Sequence, residues 1–470
     1  MTTLDQNAAA DTSRVLRSQE EVEERIRAIC FKTGPPARLG AELEWTLHMT
    51  GAPDAPLDVG LIRHALGPHA PATLGGGATA PIPAPHPPRP LGPRAAPPAP
   101  PPSPPPHRIP APLPERLAAP PDQGIPALPD QGLPAPPGEP LPLPAGGRLT
   151  SEPGGQLEIS SAPAESPAAL HAAVTADLDY LTGLLDSAGL RLGEHGIDPH
   201  RAPRRLLETP RYTAMERVFD AYGPHGRTMM CSTAGFQVCL DAGTPAQLPV
   251  RWAAVLGLGP PLVALFANSG RHAGRDTGLA SSRMSTWWNM DPRLTHPPGG
   301  PPDDPAAGWA RYALRAPVVC VRRPDGDWAP PPGVTLRHWM GGALPMPLTV
   351  GDLDYHLSTL FPPVRPRGYL EVRYLDTQPG ADWVVPFAIL TALFGDHATT
   401  EAALEISAPV AGCWIPAYRV GLRDPALRRA ATRLVELASG RLAATGLPAS
   451  VLSHVIETVE RRLRDAEEQR

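Results

Sequence analysis

Residues 37–50, ARLGAELEWTLHMT, alternate between apolar and polar side chains. Leu43 and Trp45 fall on one parity, whereas Glu42 and Glu44 fall on the other. A period of two is typical of a β-strand with one buried face. The two glutamates would then project from the same face, with Cα atoms roughly 6–7 Å apart. Because Glu is a weak strand former, the pair calls for a chemical role, and Mg²⁺ ligation is one that fits.

Three further segments show the same alternation, at residues 148–160, 232–241 and 368–376. Each places acidic, amide or guanidinium groups on one parity and apolar groups on the other. We therefore expect a curved antiparallel sheet whose concave face is an ionic cavity. The polar positions of the four segments include Glu42, Glu44, Glu152, Gln156, Glu158, Ser160, Gln237, Glu371 and Arg373.

Carboxylates concentrated on one face repel one another and raise one another's pKa values. A set of roughly two or three Mg²⁺ ions would remove that cost and hold the phosphates of a nucleotide. An arginine such as Arg373 would stabilise the negative charge of a phosphoryl group during its transfer. Lys32 is the only lysine, which excludes a phosphate-binding loop of the Walker type. The residues thus predict Mg²⁺-dependent phosphoryl transfer or ligation on a sheet.

Composition narrows the class of protein further. A net charge of −5 over 470 residues favours neither a nucleic-acid nor a membrane partner. The five cysteines are widely spaced and form no CxxC motif, which argues against a disulfide framework or a zinc knuckle. The sequence starts without a secretory signal pattern, and no apolar run approaches the ~20 residues of a spanning helix. We expect a soluble cytoplasmic protein that acts on small molecules.

The chain divides into a predicted disordered N-terminus, residues 1–17, and one catalytic domain, residues 18–470, interrupted by a low-complexity insertion at 74–146. Within it, residues 81–145 contain 28 prolines, which favours a disordered, polyproline-like segment. Such a segment could bind a proline-recognising partner domain. We favour a tolerated surface insertion instead, because long loops cost little extra closure entropy.

Local signals predict several elements outside the sheet. Ser18 opens a capping box for a helix that continues to about residue 29. Ser166 is a candidate cap for a second helix over residues 167–188, which carries a long apolar stripe. Residues 311–323 are interpreted as a strand. Trp287 and Trp288 are interpreted as packing residues rather than as a platform for adenine.

Several motifs occur together in the order found in a known ligase family. They are Glu42-Leu43-Glu44, EPGGQLEIS from residue 152, MMCSTAGFQVCLD from residue 229, ANS from residue 267, Arg283 with Trp287, and Glu371-Val372-Arg373. On these motifs the chain resembles the glutamate–cysteine ligases of the plant and actinobacterial type, in particular the actinobacterial branch that starts ergothioneine biosynthesis. EPGGQxE and ExR are the most specific of them.

The resemblance implies an α+β fold with a glutamine-synthetase-like curved antiparallel catalytic sheet flanked by helices. It also implies ATP-dependent coupling of the γ-carboxyl group of L-glutamate to the amine of L-cysteine. In this family ATP phosphorylates the carboxylate, and the amine then attacks the acyl phosphate. ATP and Mg²⁺ would be the cosubstrate and the metal.

Residue roles follow from the same resemblance. Arg373 would hold the transferring phosphate, and Arg283 would clamp a substrate carboxylate, since Arg pairs with carboxylates in bidentate fashion. Gln156, Ser160 and Gln237 would contact substrate or ATP. The Mg²⁺ ligands would be Glu42, Glu44, Glu158 and Glu371, with Glu152 as a further ligand.

Two departures from the family pattern bear on these roles. Cys239 stands where relatives commonly have Asn, and Arg293 lies one position earlier than the family's usual arginine. Two alternatives to a glutamate–cysteine ligase stay open at this point. One is a ligase that uses a different amine, and the other is a catalytically inactive ligase-like protein that recruits partners through the proline-rich segment.

Overall fold

A six-stranded antiparallel sheet lies at the centre of the fold, and all four alternating segments contribute to it. The computed structural model describes residues 12–35, 37–75, 140–299, 303–324 and 326–468, which all belong to one compact unit. Its strands are β1 (Gly40–Trp45), β2 (Leu47–Met49), β3 (Arg148–Ser151), β4 (Leu157–Ser160), β5 (Leu190–Leu192), β6 (Gly235–Leu240), β7 (Arg271–His272), β8 (Arg275–Asp276), β9 (Val364–Pro366) and β10 (Leu370–Asp376).

The strand order across the sheet is β3-β4-β1-β6-β10-β9. Strand β1 therefore lies between β4 and β6, pairing Leu43 with Ile159 on one side and Ala41 with Val238 on the other. Strands β2 and β5 form a separate ribbon, as do β7 and β8. An antiparallel sheet combined with helices confirms the α+β class predicted from the sequence.

Helices surround the sheet and cover its apolar face, with one of them along β1 and another along β6. They are α1 (Gln19–Cys30), α2 (Val59–Leu66), α3 (Pro167–Ser187), α4 (Pro210–Asp220), α5 (His225–Ser232), α6 (Leu248–Gly257), α7 (Gly259–Phe266), α8 (Ser282–Trp288), α9 (Pro292–Thr295), α10 (Pro305–Arg315), α11 (Leu336–His338), α12 (Val350–Leu357), α13 (Val384–Leu393), α14 (His397–Ser407), α15 (Trp414–Val420), α16 (Pro425–Ser439) and α17 (Ala449–Glu468). Helix α3 contacts β1 and α13 contacts β6.

The predicted caps and strand faces are confirmed. The Ser18 hydroxyl accepts a hydrogen bond from the Glu21 amide, and the Ser166 hydroxyl accepts one from the Ala169 amide. Along β1, burial alternates residue by residue, with Leu43 and Trp45 inside. The alternation follows from burying one face of a pleated strand.

Two predictions about organisation need correction. Residues 14–16, expected to be disordered, pair with the chain at 348–350, and Leu16 is buried. Residues 311–315 belong to helix α10 rather than to a strand. Its start is a standard one, because Asp304 caps it and Pro305 occupies the first position.

The residues on either side of 76–139 are held together, and we call residues 67–75 and 140–147 the neck. The Leu141 amide donates to the Pro68 carbonyl oxygen over 2.9 Å. The amides of Ala145 and Gly147 donate to the buried carboxylate of Asp177 over 2.6 and 2.8 Å. Residues 140–146 of the segment 74–146 are thus anchored to the rest of the fold. The remaining proline-rich residues, for which disorder was predicted, lie outside the described residues.

Among the described residues, no single helix is both long and apolar enough to cross a membrane. Helices α6 and α7 meet the length and composition requirements only as a pair, which is bent by 41°.

Candidate active site

One wall of the candidate site carries glutamates from strands β1 and β4 and from the turn between β3 and β4. Glu44 on β1 lies directly opposite Glu158 on β4, an arrangement that is unfavourable for two like charges. Hydrogen bonds partly compensate. The Gly235 amide and the Gln237 side chain donate to Glu44 over 2.6 and 2.7 Å, and the Ser160 hydroxyl donates to Glu158 over 2.7 Å.

Burial and mutual repulsion shift the acidity of this wall. Burial, with the charge of Glu371, raises the pKa of Glu42 to about 7. Burial, with the charge of Glu44, raises the pKa of Glu152 to about 7. For Glu158, burial and the neighbouring carboxylates raise the pKa well above its ordinary value. These side chains therefore resist ionisation unless positive charge is supplied from elsewhere.

An oxygen-only donor set of this kind fits Mg²⁺. Within the described part of the chain, however, no three acidic, histidine or cysteine side chains converge on a common point for one ion. The carboxylates surround a space rather than a point. A Mg²⁺ ion at this wall would therefore take part of its ligands from water or from substrate phosphates.

The opposite wall carries three arginines around the buried Glu371, whose side chain is 0% exposed. Arg365 binds its carboxylate through Nε at 2.6 Å and Nη2 at 3.2 Å. Arg373 contributes a contact of 2.9 Å and Arg367 one of 3.3 Å. Burial alone would raise the pKa of Glu371, but the three guanidiniums outweigh it and hold the pKa well below its usual range. We call this set the arginine cluster.

A β-bulge sets the position of Arg373. The register between β10 and β6 shifts between Val372 and Leu375, and the Arg373 amide donates instead to the Pro363 carbonyl over 2.9 Å. Bulges of this kind often re-aim a side chain beside an active site. Here Arg373 also donates to the Gln237 side chain over 2.6 Å, which joins the two walls across the sheet.

A cavity of about 810 Å³ separates the walls. The predicted site residues that line it are Glu42, Glu44, Glu152, Gln156, Glu158, Ser160, Gln237 and Arg373. The cavity is therefore acidic on the β1–β4 side and basic on the β9–β10 side. A polyphosphate with bound cations matches such a charge distribution.

Comparison with known proteins agrees with this geometry. The chain matches glutamate-cysteine ligase family 2 over residues 124–470. It belongs to this family. It is 43% identical over 293 residues to the glutamate–cysteine ligase EgtA of Mycolicibacterium smegmatis, covering 61% of this chain and 69% of that protein. It is 40% identical over 294 residues to the EgtA enzyme of Mycobacterium tuberculosis strain H37Rv, covering 61% and 68%.

More distant relatives include the chloroplastic glutamate–cysteine ligase of Arabidopsis thaliana, 29% identical over 331 residues that cover 67% of this chain and 59% of that protein. The family match begins at residue 124, so β1 with Glu42 and Glu44 lies outside it. The fold nevertheless places β1 between β4 and β6, two strands that lie within the family match.

Within this family member, two predicted contact residues serve the local structure as well as the cavity. The side-chain oxygen of Gln156 accepts from the Gly154 backbone amide over 2.9 Å, and the side-chain NH₂ of Gln156 donates to the Thr233 backbone carbonyl over 2.9 Å. This ties the EPGGQ turn to the end of α5. Gly154 is required there because any Cβ would collide with the Cys231 backbone. Ser160 orients Glu158, as described above.

Two further predicted residues, Arg283 and Glu371, do not line the cavity. Arg283 is 1% exposed and donates to the Arg373 carbonyl over 2.8 Å, from beneath the indole ring of Trp287. Glu371 has both oxygens occupied by arginines, so a role as Mg²⁺ ligand stays a prediction that requires a guanidinium to move aside.

Sequence reasoning missed four arginines that line the cavity, Arg148, Arg211, Arg365 and Arg367. Arg365 lies on β9 and Arg367 in the turn before β10, so their approach to Glu371 depends on a strand register that alternation does not show. Arg211 lies at the start of α4 and donates to the Ser358 carbonyl over 3.0 Å. No feature of the local sequence pattern marks it out.

Proposed function

We propose that this protein joins the γ-carboxyl group of L-glutamate to the amine of L-cysteine with cleavage of ATP. The products are γ-glutamylcysteine, ADP and phosphate, and the reaction would start ergothioneine biosynthesis. The observation that carries the proposal is the cavity between a wall of carboxylates and a wall of arginines, in a chain of glutamate-cysteine ligase family 2.

Glu42, Glu44, Glu152 and Glu158 would hold Mg²⁺ on the acidic wall. The raised pKa values of Glu42, Glu152 and Glu158 reflect a deficit of positive charge there. Glu371 would join them if it released an arginine. Bound there, Mg²⁺ supplies charge neutralisation for the phosphates of ATP. We propose roughly two or three ions, because this many carboxylates exceed what one ion coordinates in proteins.

The arginine cluster would act on the phosphoryl group. Arg373 lines the cavity with Arg365 and Arg367, and its side chain is held by Glu371 and Gln237. A guanidinium fixed before the reaction stabilises negative charge without reorganising during the step. Arg373 would therefore contact the phosphoryl group as it passes from ATP to the glutamate carboxylate.

Arg211 is suited to clamp an amino-acid carboxylate. Among the described residues it forms no ion pair with an acidic side chain, although it lines the cavity. Its guanidinium also stacks 5.1 Å from the Tyr355 ring centroid, which fixes its plane. Arg283, proposed from the family resemblance for the same role, would support the site from beneath Trp287.

The finer points of architecture are part of the proposal. We propose that the sheet is of the glutamine-synthetase type, and that residues 18–470 form one catalytic domain whose proline-rich insertion loops out without a role in catalysis. The cytoplasmic location expected from the sequence also stays a prediction. The neck supports the looping arrangement, because it fixes both flanks of 76–139.

The test is release of ADP from ATP in the presence of glutamate, Mg²⁺ and single amines from a panel. Turnover with cysteine alone is the expected result. Turnover with another amine instead would keep the ligase chemistry and overturn the product. If no amine supports turnover, the protein is not an active ligase.

A further inference from the structure

Trp287 has a property that packing alone does not explain. Its side chain is 5% exposed and lines the cavity between the two walls. Its indole Nε1 is buried and has no acceptor among the residues that the structure describes. A buried N–H without a partner is costly, and natural proteins leave few of them.

Two arginines beside Trp287 also carry buried N–H groups that lack an acceptor within the described residues. The guanidinium carbons of Arg283 and Arg373 lie 5.1 and 5.4 Å from its ring centroid. The Nε atoms of both arginines are also buried without an acceptor in the described chain. Three N–H donors without a partner in the described chain and two positive charges thus lie at or beside the Trp287 ring, which lines the cavity. Such a set favours an oxygen that is or becomes negative.

The protein holds these donors in place rather than letting them find partners. The Ser281 hydroxyl caps α8 by accepting from the Met284 amide over 3.1 Å, and it donates to Asp376 over 3.0 Å. The Ser269 hydroxyl donates to Asp376 over 2.7 Å and accepts from the Arg283 amide over 3.2 Å. The start of α8 is fixed in this way, and a ligand in the cavity can supply the acceptor that Trp287 lacks.

We propose that the Trp287 indole N–H donates a hydrogen bond to the acyl oxygen of γ-glutamyl phosphate while the cysteine amine adds to it. This inference rests on the proposed function. The nitrogen lone pair forms the C–N bond, and the C=O π pair moves onto the acyl oxygen, which gains negative charge. Re-formation of C=O breaks the bond to the phosphate oxygen, phosphate leaves with that electron pair, and the amine proton passes to it.

The experiment compares the two half-reactions in Trp287→Phe, which removes the N–H and keeps a ring between the two arginines. Loss of one oxyanion donor typically lowers kcat by about 100-fold or more. We expect that loss in γ-glutamylcysteine formation, with KM for glutamate and ATP changed by less than about threefold. Positional isotope exchange in ATP with glutamate alone reports phosphorylation, and we expect it at the wild-type rate.

Trp309→Phe is the matched control. Trp309 on α10 also has a buried indole N–H, but this group lies beside the Cys30 thiol and Trp309 does not line the cavity. Its variant should turn over within about twofold of wild type. If Trp287→Phe fails to fold, benzothienylalanine at position 287 keeps the shape of the side chain without the N–H.

Two results would overturn the inference. One is a kcat within threefold of wild type, and the other is an isotope exchange rate that falls as much as turnover, which would make Trp287 only a support for Arg373. Both presuppose a wild-type protein that forms γ-glutamylcysteine. An inactive wild type would instead refute the proposed function.

Discussion

The two walls of the cavity contain the same type of residue in opposite electrostatic situations. On the acidic wall, Glu42, Glu152 and Glu158 face one another, and no arginine, lysine or histidine of the described chain forms an ion pair with them. On the basic wall, Glu371 is equally buried but binds three arginines. Burial raises the pKa in the first group, whereas paired charge lowers it in the second.

The two walls differ in whether the chain itself supplies the charges that neutralise the buried carboxylates. The basic wall is balanced before any ligand arrives, so its geometry is fixed in advance. On the proposed function, the acidic wall would be balanced only when cations arrive with the nucleotide. Substitutions on the two walls should therefore have different effects on stability even where they have the same effect on activity.

The largest effect is expected for Glu42→Gln. Loss of a metal-binding carboxylate should lower turnover by about 1,000-fold, since the charge it helps to hold is needed at the phosphates. In the metal-free protein the same change removes a repelled charge, so the melting temperature should rise. Glu436→Gln, on the exposed side of α16, is the control and should change neither. A Glu42→Gln protein with full activity would contradict the metal assignment.

On the basic wall, Glu371→Gln should lower stability. Removing one member of a buried ion pair leaves the other uncompensated and costs about 3–5 kcal/mol. Here three guanidiniums would lose their common partner. The measurement is denaturant unfolding of the metal-free protein beside Glu158→Gln, which should be no less stable than wild type. A Glu371→Gln protein as stable as wild type, or equal stability of the two variants, would contradict the comparison.

The pH dependence of the metal-free protein follows from the acidic wall. The pKa values of Glu42 and Glu152 are about 7 in the folded protein against an ordinary value of 4.5. The folded state then binds protons more tightly than the unfolded state between these values. The contribution of Glu42 and Glu152 to stability is therefore present in full below pH 4.5 and is lost as pH rises to 7, by an amount on the order of 3 kcal/mol for each carboxyl. The buried His48 and His356, whose pKa values are lowered to about 4, contribute in the opposite direction between pH 4 and 6.5, so the profile of the wild type is compared with that of Glu42→Gln.

Saturating Mg²⁺ should flatten this profile, because the metal replaces the protons. Thermal melting between pH 5 and pH 8, with Mg²⁺ and with EDTA, checks both statements. Glu371 stays ionised throughout this range, since its pKa is lowered. A metal-free wild type whose pH profile matches that of Glu42→Gln would show that the acidic wall is not the group that titrates.

The smallest effect is expected when residues 76–139 are replaced by a short Gly-Ser linker. The neck already joins the flanks, and each halving of a flexible loop changes the closure free energy by only about 0.6 kcal/mol. Turnover should stay within about twofold of wild type. A folded but inactive deletion would show that the insertion contributes to catalysis and that the two walls do not make up the whole site.

The sheet and its polar face follow from the sequence because both depend on a period of two. Alternation alone assigns Glu42, Glu44 and Glu158 to one face, and the structure places them there. It cannot show which residue on β9 meets Glu371, because that pairing depends on the register of two strands. The pairing of Glu371 with Arg365 was missed for this reason.

The strand predicted over residues 311–323 begins within a helix, because the cap that opens this helix was not taken into account. Asp304 and Pro305 mark a helix start that the sequence shows plainly. The unpaired donors around Trp287 could not be foreseen in the same way. They arise where α8, β10 and the cavity meet, and only coordinates bring these parts together.

The position of β1 at the middle of the sheet has a consequence for synthesis. Leu43 pairs with Ile159, 116 residues later in the chain, and Ala41 pairs with Val238 still later. At a translation rate of about 5–20 residues per second, the strand waits roughly 6–23 s for its first partner to be made. During that time its apolar face has no partner strand beside it, so a chaperone that binds short hydrophobic segments would be expected to recognise β1.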